Sequence, residues 1–366
     1  MMTKTLTLLT IATLLFCASC SKKKNQAEYT IKWEIAHQPL EYFQETAQKF
    51  KELVEKRTEG KVKVLVSTQK SFPKIEVIDG AKYKFNNAGS LDRVLVGELD
   101  MSQIYTERLS YQISSEFAVL SVPYLLKNHE HIDRVVEGKI GGELLASVEA
   151  KGLKGLAFTY SGGEQAIVSV NRPVKAINDF KDIRYRGFSD WDCLMAKINE
   201  ASCQIGSRLI DDRRLTLEQQ ISADMVDAGD ATVRDAVEAF YNSHQRKAKY
   251  LTLTGHKFLM TALVFNKEKF NSFPKDIQQI ILTSAREVAR FERKSIIDDE
   301  RKFKRKIERD NKFQVIEMTY QERSKLKDSL IEVEKKVLSQ IKDSKRAAYL
   351  VDAIKNLAKE EDIATN

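Results

Sequence analysis

The chain has 366 residues, enough for about two domains, and a formal net charge of +8 at pH 7. Charged residues make up 31% of the sequence with both signs mixed. The basic, aromatic-interleaved stripe of a nucleic-acid-binding protein is therefore absent from the sequence, and no nucleic acid is expected as a partner. Beyond the N-terminal segment, no apolar run reaches the roughly 18 residues of a membrane-spanning helix.

The first 20 residues have the order of a secretory signal: one lysine, an apolar run over residues 6–16, two small residues and then Cys20. We expect residues 1–19 to be a lipoprotein signal peptide, cut before Cys20, whose sulfur receives the lipid. Residues 20–28 would then be a tether, and the protein would be periplasmic and anchored to a bacterial membrane. Ordinary cleavage to a soluble product is the alternative, because Cys17 stands where leucine is usual.

Strands and helices alternate at the start of the mature chain. Residues 29–35 alternate as a strand, residues 39–58 repeat apolar side chains at helical spacing, and residues 61–67 form a second strand. This order predicts a parallel sheet covered by helices. A short helix over residues 90–97 and a strand around residues 99–105 follow.

The remaining pattern predicts a hinge and a long helix. The apolar strand 155–160 ends in Ser161 and a Gly-Gly pair that suits a hinge. A helix from residue 274 to about 311 loses its apolar stripe past Phe291, as if it left one packed body and lay across another. We also predict helices over residues 130–137, 142–151, 191–201, 320–341 and 344–359, and strands over 167–170, 183–185 and 313–318. We expect an α/β fold with two lobes, lobe I over 29–160 plus about 260–298, and lobe II over 161–259 plus about 299–366.

The cysteines and histidines do not indicate an enzyme. Cys193 and Cys203 are too few for a zinc set or a disulfide scaffold. They could pair in an oxidising compartment, but two buried free thiols are the simpler state and the one we predict. His129 and His131 would lie on different faces of a helix, and phosphate loops, GxSxG, HExxH and CxxC are absent from the sequence. We therefore expect no catalytic residues, no metal and no cofactor.

Six segments of the sequence share, in order, the pattern of one protein family. They are FKELVEKRTEGKVKV (50–64), VLVGELDM (94–101), FAVLSVPYLLKNHEH (117–131), the stretch 151–187, MVDAGD (225–230) and FPKDIQQIILTSAREV (273–288). The chain resembles the extracytoplasmic solute-binding subunit of TRAP (tripartite ATP-independent periplasmic) transporters. The resemblance implies a periplasmic-binding-protein clamshell with a long helix spanning both lobes. Such a protein closes on a small organic acid and delivers it to the TRAP membrane subunits.

The resemblance also implies a ligand arginine at the end of the segment DFKDIRYR, at Arg186, that grips the solute carboxylate with two parallel hydrogen bonds. Arg184 is the competitor, two residues earlier on the same strand face. A surface arginine paired with Asp182 or Asp190 is the alternative for Arg186. Asp227 matches a family aspartate that we interpret as structural.

Further ligand contacts are expected where strands end, because open α/β sheets bind ligands outside the carboxyl ends of their parallel strands. These candidates are Tyr105, His37 and Gln38. Glu164 and Gln165 stand where many family members have a second arginine after the hinge glycine, and Asp230 and Ala231 replace the acid and amide of the family's VDG segment. The loss of a cation and an amide predicts a less polar ligand, such as a hydrophobic monocarboxylate.

The lipid anchor and these departures are similar to a TRAP subgroup that works with a periplasmic tetratricopeptide-repeat protein. Three other readings stay open at this point. The chain could be a solute sensor or a structural lipoprotein without a transport role. An exported hydrolase is the third, but it would need a nucleophile–base pair or a metal set, and the sequence indicates neither.

Overall fold

The computed structural model describes residues 27–35, 40–68, 75–78, 81–84, 88–187, 190–198, 201–205, 216–237, 247–310 and 314–364. The predicted signal peptide, Cys20, His37 and Gln38 lie outside these residues. Among the helices that the structure describes, none combines the length and apolarity needed to cross a membrane.

Strands and helices alternate along the described chain, as the sequence predicts. The strands are β1 (Tyr29–Ile35), β2 (Val62–Thr68), β3 (Ile75–Ile78), β4 (Ala81–Lys84), β5 (Met101–Tyr105), β6 (Leu153–Ser169), β7 (Arg184–Gly187), β8 (Ser202–Ile205), β9 (Ala228–Thr232), β10 (Tyr250–Leu253), β11 (Phe258–Asn266) and β12 (Gln314–Glu317). The helices are α1 (Leu40–Arg57), α2 (Ala88–Leu95), α3 (Thr106–Gln112), α4 (His129–Glu137), α5 (Lys139–Ser147), α6 (Asp190–Ile198), α7 (Leu217–Ser222), α8 (Val233–Asp235), α9 (Lys267–Ser272), α10 (Lys275–Asp310), α11 (Tyr320–Ser329), α12 (Ile331–Leu338) and α13 (Ser344–Ala364). Single 3₁₀ segments cover Ser115–Ser121, Val148–Lys151 and Ile177–Phe180.

One sheet runs through the molecule in the order β2-β1-β5-β11-β6-β9-β7-β8, and β10 pairs with both β6 and β12. β1 is parallel to β2 and to β5, as the strand–helix–strand order predicts. The sheet as a whole is mixed, however, because β11 runs antiparallel to β5 and β6, and β6 runs antiparallel to β9. Trp33 of β1 is buried and meets Phe50 of α1 edge-on, with ring centroids 5.5 Å apart. The apolar face of α1 therefore covers the face of the sheet on which Trp33 lies.

β6 is one strand of 17 residues, although the sequence predicts two shorter strands separated by a hinge. Up to Glu164 it pairs with β11, and from Gln165 onward it pairs with β9 and β10. We call the part before this switch, with β1, β2, β5 and β11, the first half-sheet. The second half-sheet contains the end of β6 with β7, β8, β9, β10 and β12.

The predicted glycine pair lies at the point where β6 changes partners. Gly162 and Gly163 have φ angles of +113° and +76°, which residues other than glycine rarely adopt. A Cβ at Gly162 would also lie 2.6 Å from Thr232 Cγ2 at the end of β9. Glycine is therefore required here both by the backbone and by the close approach of β9.

The long helix is confirmed as α10, with 36 residues. Its first part buries Ile281 and Ala285 in the main core, which includes β1, β5 and β11. Near its end, Ile307 belongs to a second, smaller core with Val168 of β6 and Leu251 of β10. One helix thus packs against both half-sheets, which explains why its apolar stripe weakens between the two cores.

Cys193 and Cys203 form a disulfide, so the prediction of two free thiols is wrong. α6 turns back directly into β8, which brings the two Cα atoms to 5.2 Å, within the range that a disulfide spans. The ten-residue separation closes a helix–strand hairpin in the second half-sheet. Periodicity alone does not show how tightly such a hairpin turns.

Candidate functional site

Of the predicted ligand residues that the structure describes, Gln165 lies where β6 and the segment between β10 and β11 cross from one half-sheet to the other, and Tyr105, Arg186 and Asp230 lie on strands of the same sheet. We call this place the crossing and define it by residues 161–165 and 254–258. Gln165 N donates to Lys257 O at 2.9 Å, and Gly255 N donates to Gln165 O at 3.1 Å, so backbone hydrogen bonds join the two segments. β5 neighbours β11 and β9 neighbours β6, so both strands lie next to the crossing, and β7 lies one strand further away, beside β9.

Tyr105 is the last residue of β5, where the sequence analysis placed it. Its hydroxyl lies 3.0 Å from Ser161 Oγ, at the start of the crossing. Burial raises the pKa of Tyr105 to about 12, so the phenol is neutral at physiological pH. A neutral phenol can donate or accept a hydrogen bond, which suits a polar contact to a small solute.

Arg186 is half-buried on β7 and pairs in register with Gly229 of β9. A Cβ at Gly229 would lie 2.7 Å from Arg186 O and 3.1 Å from Arg186 Cβ, so the glycine allows β7 and β9 to approach each other. Burial lowers the pKa of the Arg186 guanidinium, while the nearby charges of Asp230 and Asp235 act in the opposite direction. The arginine therefore lies in a partly desolvated setting where a carboxylate would bind strongly.

Arg184 has a different task. Its exposed guanidinium makes two hydrogen bonds to Asp227, from Nε to Oδ2 at 2.9 Å and from Nη2 to Oδ1 at 2.7 Å. The hydrogen bonds from Arg184 hold the pKa of Asp227 below its usual range. This ion pair ties β7 to the turn before β9, in agreement with the structural role predicted for Asp227, and it distinguishes Arg184 from Arg186.

Lys257, which the sequence analysis missed, joins the two half-sheets at the crossing. Its Nζ lies 2.6 Å from Glu107 Oε1 on α3 and 2.8 Å from Asp192 Oδ1 on α6. Burial alone would lower the pKa of Lys257, but the two carboxylates raise it, so the ammonium stays charged. α3 follows β5 of the first half-sheet, and α6 packs on β7 and β8 of the second. A single lysine therefore bridges the two.

Asp230 lies on β9, fully buried, and accepts a hydrogen bond from the Tyr185 hydroxyl at 2.6 Å. His256 Nε2 lies 3.3 Å from Asp230 Oδ1. Burial raises the pKa of Asp230, and the neighbouring charge of Asp192 adds to the effect. Ligand atoms of Asp192, Asp230 and His256 all lie within 4.8 Å of one another, a grouping that the sequence analysis did not anticipate.

Gln165 is fully buried at the second half of the crossing. Its backbone is hydrogen-bonded, but within the part of the chain that the structure describes, neither atom of its side-chain amide has a hydrogen-bond partner. In register it faces Thr232, two residues beyond Asp230 on the same face of the sheet. A buried amide without a partner is uncommon in proteins and points to a polar group that binds beside it.

The structure thus brings Tyr105, Gln165, Arg186 and Asp230 to the strands that surround the crossing. It adds Glu107, Asp192, His256 and Lys257. The sequence marks only the last two, as a His-Lys pair just before an apolar strand, and gives no sign of Glu107 or Asp192. His129 and His131 point apart as predicted, since His129 Nε2 faces Glu300 at 3.3 Å and His131 Nε2 contacts Ile354 O at 2.8 Å.

A cavity of about 390 Å³ lies elsewhere, between the loop around Pro123 and the C-terminal helices. It is lined by Val122, Pro123, Tyr124, Leu125, Lys127, Asn128, Lys327, Glu334, Lys355 and Ala358. None of the predicted ligand residues lines it. The chemistry at the strand ends, and not this cavity, therefore defines the candidate site.

Comparison with known proteins relates the fold and site to one family. Residues 35–202 and 229–340 match the family model described as bacterial extracellular solute-binding protein, family 7 (DctP). The 2,3-diketo-L-gulonate-binding periplasmic protein YiaO of Escherichia coli (strain K12) is 27% identical over 278 residues, covering 73% of this chain and 78% of the relative.

Two solved structures share the fold. A TRAP periplasmic solute-binding protein from Ochrobactrum anthropi, with a C-terminus bound in the ligand-binding pocket, superposes with a TM-score of 0.77 at 21% identity, over 91% of this chain and 97% of that one. A TRAP periplasmic solute-binding protein from Sulfurospirillum deleyianum with bound succinate superposes with a TM-score of 0.70 at 18% identity, over 91% and 100%. The α/β fold of two-lobed periplasmic binding proteins is therefore confirmed, and this chain belongs to family 7 of the bacterial extracellular solute-binding proteins, the DctP family, whose members bind solutes and are not enzymes.

Proposed function

We propose that this protein is a lipid-anchored TRAP receptor that binds a small monocarboxylate at the crossing, with Arg186 holding the carboxylate. The observation that carries the proposal is the half-buried guanidinium of Arg186 near the carboxyl end of β7, close to Asp230 of β9. Tyr105, Gln165 and Asp230 would contact the rest of the solute. His37 and Gln38 stay candidate contacts from the sequence alone.

The charges around Arg186 support a single carboxylate on the solute. Lys257 already contacts two carboxylates, and Asp230 is buried nearby. A second solute carboxylate would therefore meet Glu107, Asp192 or Asp230, and like charges at short range in a buried site repel strongly. The name of YiaO specifies a sugar-acid derivative and the Sulfurospirillum protein holds succinate, so solutes differ among the proteins that share this fold.

The solute class is tested by thermal unfolding of the purified protein with a panel of hydrophobic monocarboxylates, hydroxy- and oxo-monocarboxylates, dicarboxylates and sugar acids. A monocarboxylate at about 100 times its dissociation constant should stabilise the protein by about 2.7 kcal/mol. Succinate is the matched dicarboxylate and should give no shift. A shift with dicarboxylates alone would contradict the monocarboxylate preference, and no shift with any organic acid would contradict the receptor.

Closure of two lobes belongs to the same proposal. We place the boundary at the switch of β6 between Glu164 and Gln165, a few residues after the predicted position at Tyr160. The Lys257–Glu107 contact joins the lobes across the crossing. A second contact, from Arg234 of α8 to Glu41 of α1 at 3.0 Å, closes them near the surface. Both contacts support a closed arrangement with glycines at the hinge.

The lipid anchor rests on the sequence of the first 20 residues. Wild-type protein expressed in a bacterial host should fractionate with membranes and carry a lipid on Cys20, whereas Cys20→Ser should leave the protein unlipidated. Release of both forms into the soluble fraction would contradict the anchor. Cross-linking in the same cells, followed by mass spectrometry, tests the tetratricopeptide-repeat partner and the TRAP membrane subunits.

A further inference from the structure

A buried group of metal-ligand type lies in the second half-sheet beside the crossing. Asp192, Asp230 and His256 are each at most 3% exposed, and one ligand atom from each lies within 4.8 Å of the others. Asp192 comes from α6, Asp230 from β9 and His256 from the crossing. Three separate elements thus converge on one point.

Two atoms of this group have unmet hydrogen-bonding capacity. Among the residues that the structure covers, Asp230 Oδ2 is buried without a hydrogen-bond partner, and His256 Nε2 is buried with only the long 3.3 Å contact to Asp230 Oδ1. Burying a carboxylate oxygen and an imidazole nitrogen in this way costs free energy unless something binds them. The amide of Gln165, also without a partner, lies on the same face of the sheet.

His256 contacts Thr254 on one side of its ring and Asp230 on the other. Thr254 Oγ1 lies 2.7 Å from His256 Nδ1, and His256 Nε2 lies 3.3 Å from Asp230 Oδ1. When Nδ1 carries the imidazole proton and donates to Thr254 Oγ1, the Nε2 lone pair is available to a metal ion, which is the usual arrangement of a histidine ligand.

The local charges favour a cation as well. Three carboxyl groups, those of Glu107, Asp192 and Asp230, lie near the crossing with two cationic side chains, Lys257 and Arg186.

We propose that Asp192, Asp230 and His256 form a binding site for one divalent transition-metal cation of the Zn²⁺ type. One imidazole nitrogen and two carboxylate oxygens are ligands that Zn²⁺ takes at about 2.0–2.2 Å, and three protein ligands leave a further coordination position open. Ligands at these distances lie at most about 4.4 Å apart. The group therefore closes on the ion with a small rotation of Asp192. Lys257 then gives up one Asp192 oxygen and keeps Glu107, which lies 2.6 Å away.

The test is calorimetric titration of chelator-stripped wild-type protein with ZnCl₂ in the absence of any organic acid. We expect one ion per chain, and binding at least about tenfold weaker in both His256→Gln and Asp230→Asn, because each loses a ligand. MgCl₂ should not compete, since Mg²⁺ prefers oxygen ligands and keeps its water. Circular dichroism of each variant establishes that it is folded.

His129→Gln is the matched control, because His129 also faces a carboxylate, that of Glu300, but has no third ligand among the described residues. Its Zn²⁺ affinity should equal that of the wild type. The proposal is overturned if wild-type protein shows no one-to-one Zn²⁺ binding, if folded His256→Gln binds as tightly, or if His129→Gln weakens binding equally. Since no organic acid is present, this outcome is independent of the proposed solute.

Discussion

At the scale of single residues, two arginines two positions apart do different work because their surroundings differ. Arg184 is exposed and holds Asp227 in an ion pair, whereas Arg186 is half-buried next to Asp230. The sequence analysis preferred Arg186 from a family pattern, and on sequence grounds alone the two were hard to separate. Burial is the property that distinguishes them, and burial depends on β9 and α8, which lie more than 40 residues away in the chain.

A buried carboxyl group in α10 makes a prediction at the same scale. Burial raises the pKa of Glu292 to about 8, and Gln103 Nε2 donates to Glu292 Oε1 at 2.8 Å. In the unfolded chain the group has its ordinary pKa of about 4.3. Because the folded pKa is raised, burying the protonated Glu292 side chain is tolerated in full below the unfolded pKa of about 4.3. The free energy of unfolding then falls as the pH rises from there through 8, because the folded protein must bury a carboxylate.

Glu292→Gln should therefore be more stable than wild type by about 2–4 kcal/mol at pH 8.5 and nearly equal to it at pH 4.5. The free energy of unfolding from denaturant titrations at the two pH values measures this. Glu287→Gln, at an exposed position on the same helix, removes only a surface ion pair with Arg57 and should change the free energy of unfolding by no more than about 1 kcal/mol at either pH. An equal effect of Glu292→Gln at both pH values would contradict the raised pKa of Glu292 in the folded protein.

At the scale of elements, local patterns predicted the alternating strands and helices well. In residues 29–67 the spacing of apolar residues along the sequence is enough to predict the elements. β1, α1 and β2 agree closely with that spacing. The predicted helix 320–341 is divided into α11 and α12 at Leu330, whose backbone leaves the helical region. A break of this kind changes the backbone conformation of one residue and leaves the spacing of apolar residues almost unchanged, so the sequence pattern does not reveal it.

The elements that the sequence did not reveal depend on contacts between distant parts of the chain. β6 becomes one strand because β9, β10 and β11 continue its pairing past the glycine hinge. Lys257 and His256 join the site for the same reason, since the crossing places them beside Gln165. The disulfide in the second half-sheet, too, depends on how α6 packs against β8.

At the scale of the whole molecule, two half-sheets share a crossing, and one long helix packs against both. Polar and charged groups from both half-sheets converge at the crossing, with Lys257 joined to each. A solute that binds there contacts both parts at once and so stabilises a closed arrangement over an open one. This arrangement connects the fold of the family to the proposed role as a solute receptor.

The central claim is that Arg186 binds the carboxylate of the solute, and calorimetric titration of the acid identified by the panel tests it most directly. Wild-type protein should bind one molecule, and Arg186→Ala should weaken binding by about 10- to 100-fold, because it removes charge-assisted hydrogen bonds worth roughly 1.5–3 kcal/mol. Arg184→Ala removes an exposed ion pair and should bind the acid as tightly as wild type. Unchanged affinity in a folded Arg186→Ala variant, or equal loss in Arg184→Ala, would contradict the account.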